Sequence, residues 1–139
     1  MQLIPYFANQ TPARELMRAF WGVDEDGAVI AWAPRLDIHE DKDAFRVRLD
    51  LPGVEKKDIQ ITLEEGVLSV RGTRYDQTED KEAGGTWHRR ERHYGAFQRS
   101  LSLGDGVDAE RVKADYREGI LSITVPKKEA AKARTITIS

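Results

Sequence analysis

Histidines are where metal ligation or proton transfer near neutral pH would start, and this chain has three, His39, His88 and His93. His88 and His93 stand five apart with no third ligand at a matching spacing, whereas a zinc site takes three or four. They read as surface histidines, and no metal is expected. The absence of cysteine excludes disulfides, thiolate catalysis and cysteine-held zinc or iron–sulfur centres. Neither a G-x-S-x-G elbow nor an H-E-x-x-H helix occurs. The "GDG" at 104–106 precedes no phosphate-cradling helix and reads as a turn. Carboxylates are plentiful, but they fall on wet strand faces and in turns, where charge serves solvation. No enzyme and no cofactor is expected.

The run Trp87, His88, Arg89, Arg90, Glu91, Arg92, with Tyr94 beyond it, combines guanidinium groups with aromatic rings. That combination suits stacking on nucleic-acid bases. Glu91 interrupts it, however, and the acidic "EDKE" precedes it. With 22 Lys+Arg against 24 Asp+Glu the net charge is −2, so no basic field supports the idea. A solvated segment that pairs with its own kind through charge is the preferred reading.

Two further features are less ordinary. Ile136 and Ile138 stand two apart in "RTITIS", behind the Ala/Lys-rich "KKEAAKA", and two β-branched residues at strand spacing want a groove. That groove belongs either to a neighbour or to the chain's own sheet, as an added edge strand. In Phe97-x-Arg99-x-Leu101-x-Leu103 a guanidinium shares the phase of core-facing residues. An unpaired buried charge is costly, so three outcomes are open for Arg99. It meets a carboxylate, it lies at a subunit boundary, or the register slips at a bulge and turns it outward.

The elements that position these residues change character along the 139-residue chain, which is one domain's worth. Residues 1–32 form an arm in which "TPARELMRAFW" reads as a short helix capped by Thr11, with Pro12 at its first position. Leu16, Met17, Phe20 and Trp21 then share one apolar surface. It can contact either client proteins or other subunits. "GVDEDGAV" reads as linker. From residue 33 to 126 the period becomes 2, with "AFRVRLDL", "DIQITL", "VLSVRG", "FQRSLSL", "VKADY" and "ILSITV" as strands, and about seven strands imply an all-β sandwich or barrel. "EEGVLSV" and "REGILSI" echo each other, and Gly66 and Gly119 suit left-handed positions in tight hairpins with a bulge. Residues 75–93 are a long polar loop whose far end can form one more strand. Residues 127–139 are a mobile C-terminal extension. No signal peptide and no stretch of ~20 apolar residues is found, so neither export nor integral membrane contact is expected, and a cytoplasmic location is the default.

Taken together, residues 33–139 resemble the small heat-shock protein (α-crystallin) family, of the bacterial and plant type. The resemblance rests on "DLPGVEKKDIQITLEEGVLSVRG", "HRRERHYGAFQRSLSL", the signature "ADYREGILSITVPK" and the terminal I-x-I at Ile136–Ile138. It implies an immunoglobulin-like β-sandwich that dimerises by exchanging a strand. Here that strand would be Thr86–Arg92, pairing with a partner's strand near Pro34–Ile38, including Leu36 and Ile38. It implies that Arg99 is a structural charge at the dimer boundary. Ile136 and Ile138 would dock on a neighbouring dimer, in a groove between the strands Ile59–Leu63 and Val112–Tyr116, with Ile59, Ile61, Leu63, Val112 and Ala114 as its lining. "LSLGDG" departs from the family, which often has proline after the last leucine; only a turn is affected. The implied function is an ATP-independent holdase that keeps partly unfolded proteins soluble. The alternative from another class is a co-chaperone or scaffold sandwich that binds one specific protein.

Overall fold

The structure, a computed structural model, describes residues 30–76 and 84–139. The expected helix with Leu16, Met17, Phe20 and Trp21 lies outside the described residues, as do the linker and the middle of the long loop. Seven strands are present among them: β1 (Leu36–Glu40), β2 (Ala44–Asp50), β3 (Ile59–Glu64), β4 (Val67–Arg74), β5 (Gly95–Ser102), β6 (Lys113–Arg117) and β7 (Ile120–Pro126). They form two antiparallel sheets, ordered β1-β2-β7-β6 and β3-β4-β5. The alternation read from the sequence places the core. Val47 and Leu49 of β2, Leu68 and Val70 of β4, Phe97 of β5 and Leu121, Ile123 and Val125 of β7 are buried in one cluster between the sheets. Arg46, Arg48 and Asp50 face water from the same β2. The fold is an all-β sandwich.

The two echoing segments make the same turn. Glu65 and Gly66 have φ of 50° and 75°, and Glu118 and Gly119 have 52° and 75°, so both central residues are left-handed in each hairpin. That is the pattern of a two-residue type I′ turn, whose twist matches that of paired strands. Glu64 pairs with Val67 and Arg117 with Ile120, with unbroken ladders on either side. The bulge expected beside each glycine is therefore absent, because a two-residue loop closes each ladder without an extra residue.

Connections at the ends of the sandwich fix the edges. Trp32 bridges Phe97 beside β5, its Nε1 donates to the Gly95 carbonyl at 3.1 Å, and its ring lies 5.1 Å from that of Phe97. The Leu51–Asp58 link from β2 to β3 ends in a 3-10 turn at Lys56–Asp58. Its carbonyls at Leu51 and Val54 both face the Tyr116 hydroxyl. No described helix is long and apolar enough to cross a membrane.

Candidate functional site

An edge strand is half-buried by construction, because one sheet partner is missing. β3 and β6 are edges of different sheets, and where they face each other the inward residues are not fully covered. Ile59 and Ile61 from β3, Ala114 and Tyr116 from β6 and Leu121 from β7 line a groove of about 150 Å³, with Lys56 and Asp115 at its rim. Leu121 is its buried floor. The structure thus brings Ile59, Ile61 and Ala114 together. Leu63 and Val112 are half-buried and pack against the core without lining the groove.

The Tyr116 hydroxyl sits 2.6 Å from the Leu51 carbonyl and 2.7 Å from that of Val54, and its single proton is shared between them. Burial pushes this phenol above its ordinary value, against a smaller opposing effect of Arg74. The ring is therefore held as a fixed wall of the groove. Tyr116 closes the Val112–Tyr116 strand expected to bound the groove and shares the phase of Val112 and Ala114; Leu121 is the groove residue that sequence reasoning did not assign there.

Ile136 and Ile138 are 86% and 95% exposed, so they do not occupy the chain's own groove, which is open among the described residues. The extension behind them is held further than its composition suggests. The Lys127 amide donates to the Asp43 carbonyl and the Lys128 amide to that of Gly106, each at 2.8 Å, and Glu129–Ala131 forms a 3-10 turn.

The opposite edges, β1 and β5, look different. Leu36 is half-buried and Ile38 is exposed on β1. A recess of about 400 Å³ beside them is lined by Arg35, Leu36, Asp37, Arg48, Asp50 and Ile120. Trp87, His88, Arg89, Arg90, Glu91 and Arg92 belong to no strand among the described residues and are exposed. Arg90 lies 4.2 Å over the Trp87 ring and pairs with Asp76, Arg89 pairs with Glu91 at 3.0 Å, and Arg92 donates to the Tyr94 hydroxyl at 2.6 Å.

Arg99 pairs with Val70 in a ladder that runs without interruption from Val67–Ser102 to Arg74–Gly95. The register does not slip, and Arg99 keeps the inward phase of Phe97 and Leu101. It is half-buried and makes no salt bridge among the described residues. The same phase test applied to Leu68, Val70, Gly72 and Arg74 finds a second inward guanidinium. Arg74 is 8% exposed, lies 4.0 Å over the Trp32 ring and donates through Nη1 to the His93 carbonyl at 3.0 Å, while its Nε has no partner among the described residues. Burial lowers its affinity for the proton, and Arg92 nearby adds to that.

A sandwich with one open apolar edge pair, an arginine on the inward phase of β5 and an exposed I-x-I tip is the arrangement that the resemblance implies. The Hsp20/alpha crystallin family profile matches residues 37–139. The chain belongs to that family. It is 41% identical over 107 residues to small heat shock protein C4 of Rickettsia felis, covering 77% of this chain and 64% of that protein. It is 38% identical over 124 residues to the 22.0 kDa heat shock protein of Arabidopsis thaliana, covering 88% of this chain and 63% of that one. This member of the family thus spans a little under two thirds of these relatives' length. Among solved structures it superimposes on heat shock protein 16.0 of Schizosaccharomyces pombe with a TM-score of 0.66 and 31% identity, over 78% of this chain and 99% of that one. A small heat-shock protein from Xylella fastidiosa, described as having a distinct high-order structure, gives 0.64 and 36%, over 78% and 98%.

Proposed function

We propose that this small heat-shock family chain is an ATP-independent holdase that self-assembles and keeps partly unfolded proteins from aggregating. The observation that carries the reading is that one chain displays both an open apolar groove at β3 and β6 and an exposed apolar tip at strand spacing. Each groove takes Ile136 and Ile138 of another copy. Two isoleucines bury about 3–6 kcal/mol gross at ~1.5–3 each, and ordering the tail takes back part of it. Single contacts are therefore weak, and many in a closed assembly hold through effective concentration. Dimers form through Thr86–Arg92, exposed and in no strand among the described residues, laid along β1 of a second copy. Leu16, Met17, Phe20 and Trp21 of the arm cover apolar surface on unfolding clients, which such proteins expose as they open. Several unrelated proteins heated with a sub-stoichiometric to equimolar amount of the chain stay soluble. If only one of them is protected, the scaffold with a single partner is the better description, and if none is, the holdase reading is wrong.

A further inference from the structure

Two polar side chains on the outer face of the β3-β4-β5 sheet are buried, although that face should meet water. Gln60 and Thr62 of β3 are exposed there, as is Ser102 at the end of β5. Ser69 of β4 and Gln98 of β5 share this outward phase, yet each is only 8% exposed. β5 is an edge strand, so beyond the single bridge at Trp32 Gln98 has a strand neighbour on one side only. The hydrogen bonds of these side chains stay within the sheet: Ser69 and Ser100 share one at 2.9 Å, and Gln98 Nε2 donates to Ser100 Oγ at 3.5 Å. Gln98 Oε1 has no partner among the described residues. Turning the amide over would only exchange an unpaired oxygen for an unpaired nitrogen, so the site asks for a polar contact from outside the sheet.

The described chain enters the sandwich beside this patch. The Ala31 amide donates to the Ala96 carbonyl at 2.9 Å, and that of Trp32 donates to the same oxygen at 3.4 Å. Gly95 makes room for the entry: its φ of 98° is left-handed, and a Cβ there would stand 3.2 Å from the Ala31 Cβ. The residues before it, "GVDEDGAV" at 22–29, carry Asp24, Glu25 and Asp26. Arg71 stands opposite Gln98 on the same outward phase and is the one cation among the described residues of that phase in this sheet. Its Nε donates to Gln60 Oε1 at 3.0 Å. From Ala96 the Gln98–Arg71 pair is two residues along and one strand across, about 8 Å. The five residues from Asp26 to Ala31 span up to about 17 Å.

We propose that residues 22–29 of the same chain lie over the outer face of β4 and β5, with their carboxylates at Arg71 and a backbone amide donating to Gln98. The occupant is the chain's own segment because Ala31 is bonded to the strand that carries the patch, and so short a tether gives an effective concentration that an untethered segment does not reach. Residues 16–21 then leave the sandwich on the outer side of this sheet, whereas the β3–β6 groove opens between the sheets. The inference is independent of tail docking.

The chain has no cysteine, so introduced pairs report on this contact without background. Full-length Asp26→Cys with Ser100→Cys is compared, under mild oxidation, with Asp26→Cys with Ser122→Cys, whose second thiol lies on the outward phase of β7. The first pair should close at least tenfold faster, and in a co-refolded mixture of isotope-labelled and unlabelled chains its linked peptides should carry a single label. Equal rates overturn the proposal; mixed-label peptides assign the patch to a second copy and overturn it too. The charge contact is read by hydrogen exchange in the cysteine-free chain. Arg71→Glu should speed exchange across residues 22–29 at least threefold, and adding Asp24→Lys and Asp26→Lys should restore the parent's rates. Exchange unchanged by Arg71→Glu, or a rise that the reversed charges do not restore, overturns the pairing of these carboxylates with Arg71.

Discussion

The two open sides of the sandwich solve the edge problem with opposite chemistry. At β3 and β6 the uncovered inward residues are Ile59, Ile61, Ala114 and Tyr116, with charge only at the rim. At β1 and β5 they include Ile38 and Arg99, and the water-facing side next to β1 carries Arg35, Asp37, Arg48 and Asp50 around a recess. An apolar edge accepts any apolar strand of suitable spacing and releases it as easily. A charged edge is costly to cover unless the incoming surface supplies backbone pairing and opposite charge together. One side is thus suited to weak, exchangeable contacts and the other to a specific one. The largest disruption should come from the charged side. Replacing Thr86–Arg92 with a Gly/Ser linker is expected to give monomers by light scattering; a surviving dimer would mean that another element pairs there.

Arg99 sharpens the same distinction with one side chain. Its inward phase in an unbroken ladder leaves a guanidinium half-buried and without a carboxylate among the described residues. If the missing acid comes from a second copy, Arg99→Leu weakens dimerisation by about 2–5 kcal/mol, as for other truncated charge pairs at interfaces. The isolated domain should be unharmed or stabilised, since an apolar residue then occupies an apolar phase. Dimer dissociation measured by analytical ultracentrifugation, set beside the melting temperature of the monomer, separates the two effects. A lower melting temperature with unchanged dimerisation would make Arg99 an internal structural residue.

On the apolar side the expected loss is smaller for each contact. Ile136→Ala with Ile138→Ala removes about 1–3 kcal/mol per tail once ordering is subtracted from burial. Larger assemblies should therefore fall apart to dimers while the domain's melting temperature stays where it was. Persistence of the parent mass would show that the groove is not what the tips occupy.

How far these sides could be read from the sequence depends on how local their signals are. Period-2 alternation identified the core strands, because whether a residue on a strand faces in or out depends only on its parity. The same parity exposed Arg99 and, applied to β4, would have exposed Arg74. What alternation does not contain is how much of an inward face the opposite sheet covers. Ile59 and Val47 look alike in sequence, yet one lines a groove and the other is 1% exposed. The bulges expected at Gly66 and Gly119 failed for a related reason: a positive φ at the preceding glutamate, which glycine content does not announce, closes each turn with two residues. The fastening of Lys127 and Lys128 was invisible because it rests on backbone groups.

The mildest test concerns what keeps the apolar side open. A groove whose wall could collapse would lose its selectivity for a strand-spaced pair, and Tyr116 is tied at its far end to the Leu51 and Val54 carbonyls. Tyr116→Phe keeps the ring and removes the bond, so about 1 kcal/mol of support is lost; the Leu51 carbonyl still accepts from the Val54 amide at 3.2 Å, and the Val54 carbonyl loses the hydroxyl. A peptide containing "RTITIS" should bind the variant several-fold more weakly, by calorimetry, with little change in dimerisation. The phenol also gives the contact a pH dependence. Its folded value lies above the ordinary one of 10 because burial disfavours the phenolate. The bond is therefore fully present below pH 10 and is lost as pH rises through that higher folded value. Lys132 is raised as well, through its bond to Glu129, and titrates in the same alkaline range. It lies outside the groove, so its effect is common to parent and variant. Parent affinity for the peptide should drop above pH 10 more steeply than that of Tyr116→Phe. Parallel curves would mean that the hydroxyl does not hold the wall, and that the groove stays open by the packing of Leu121 and the strand edges alone.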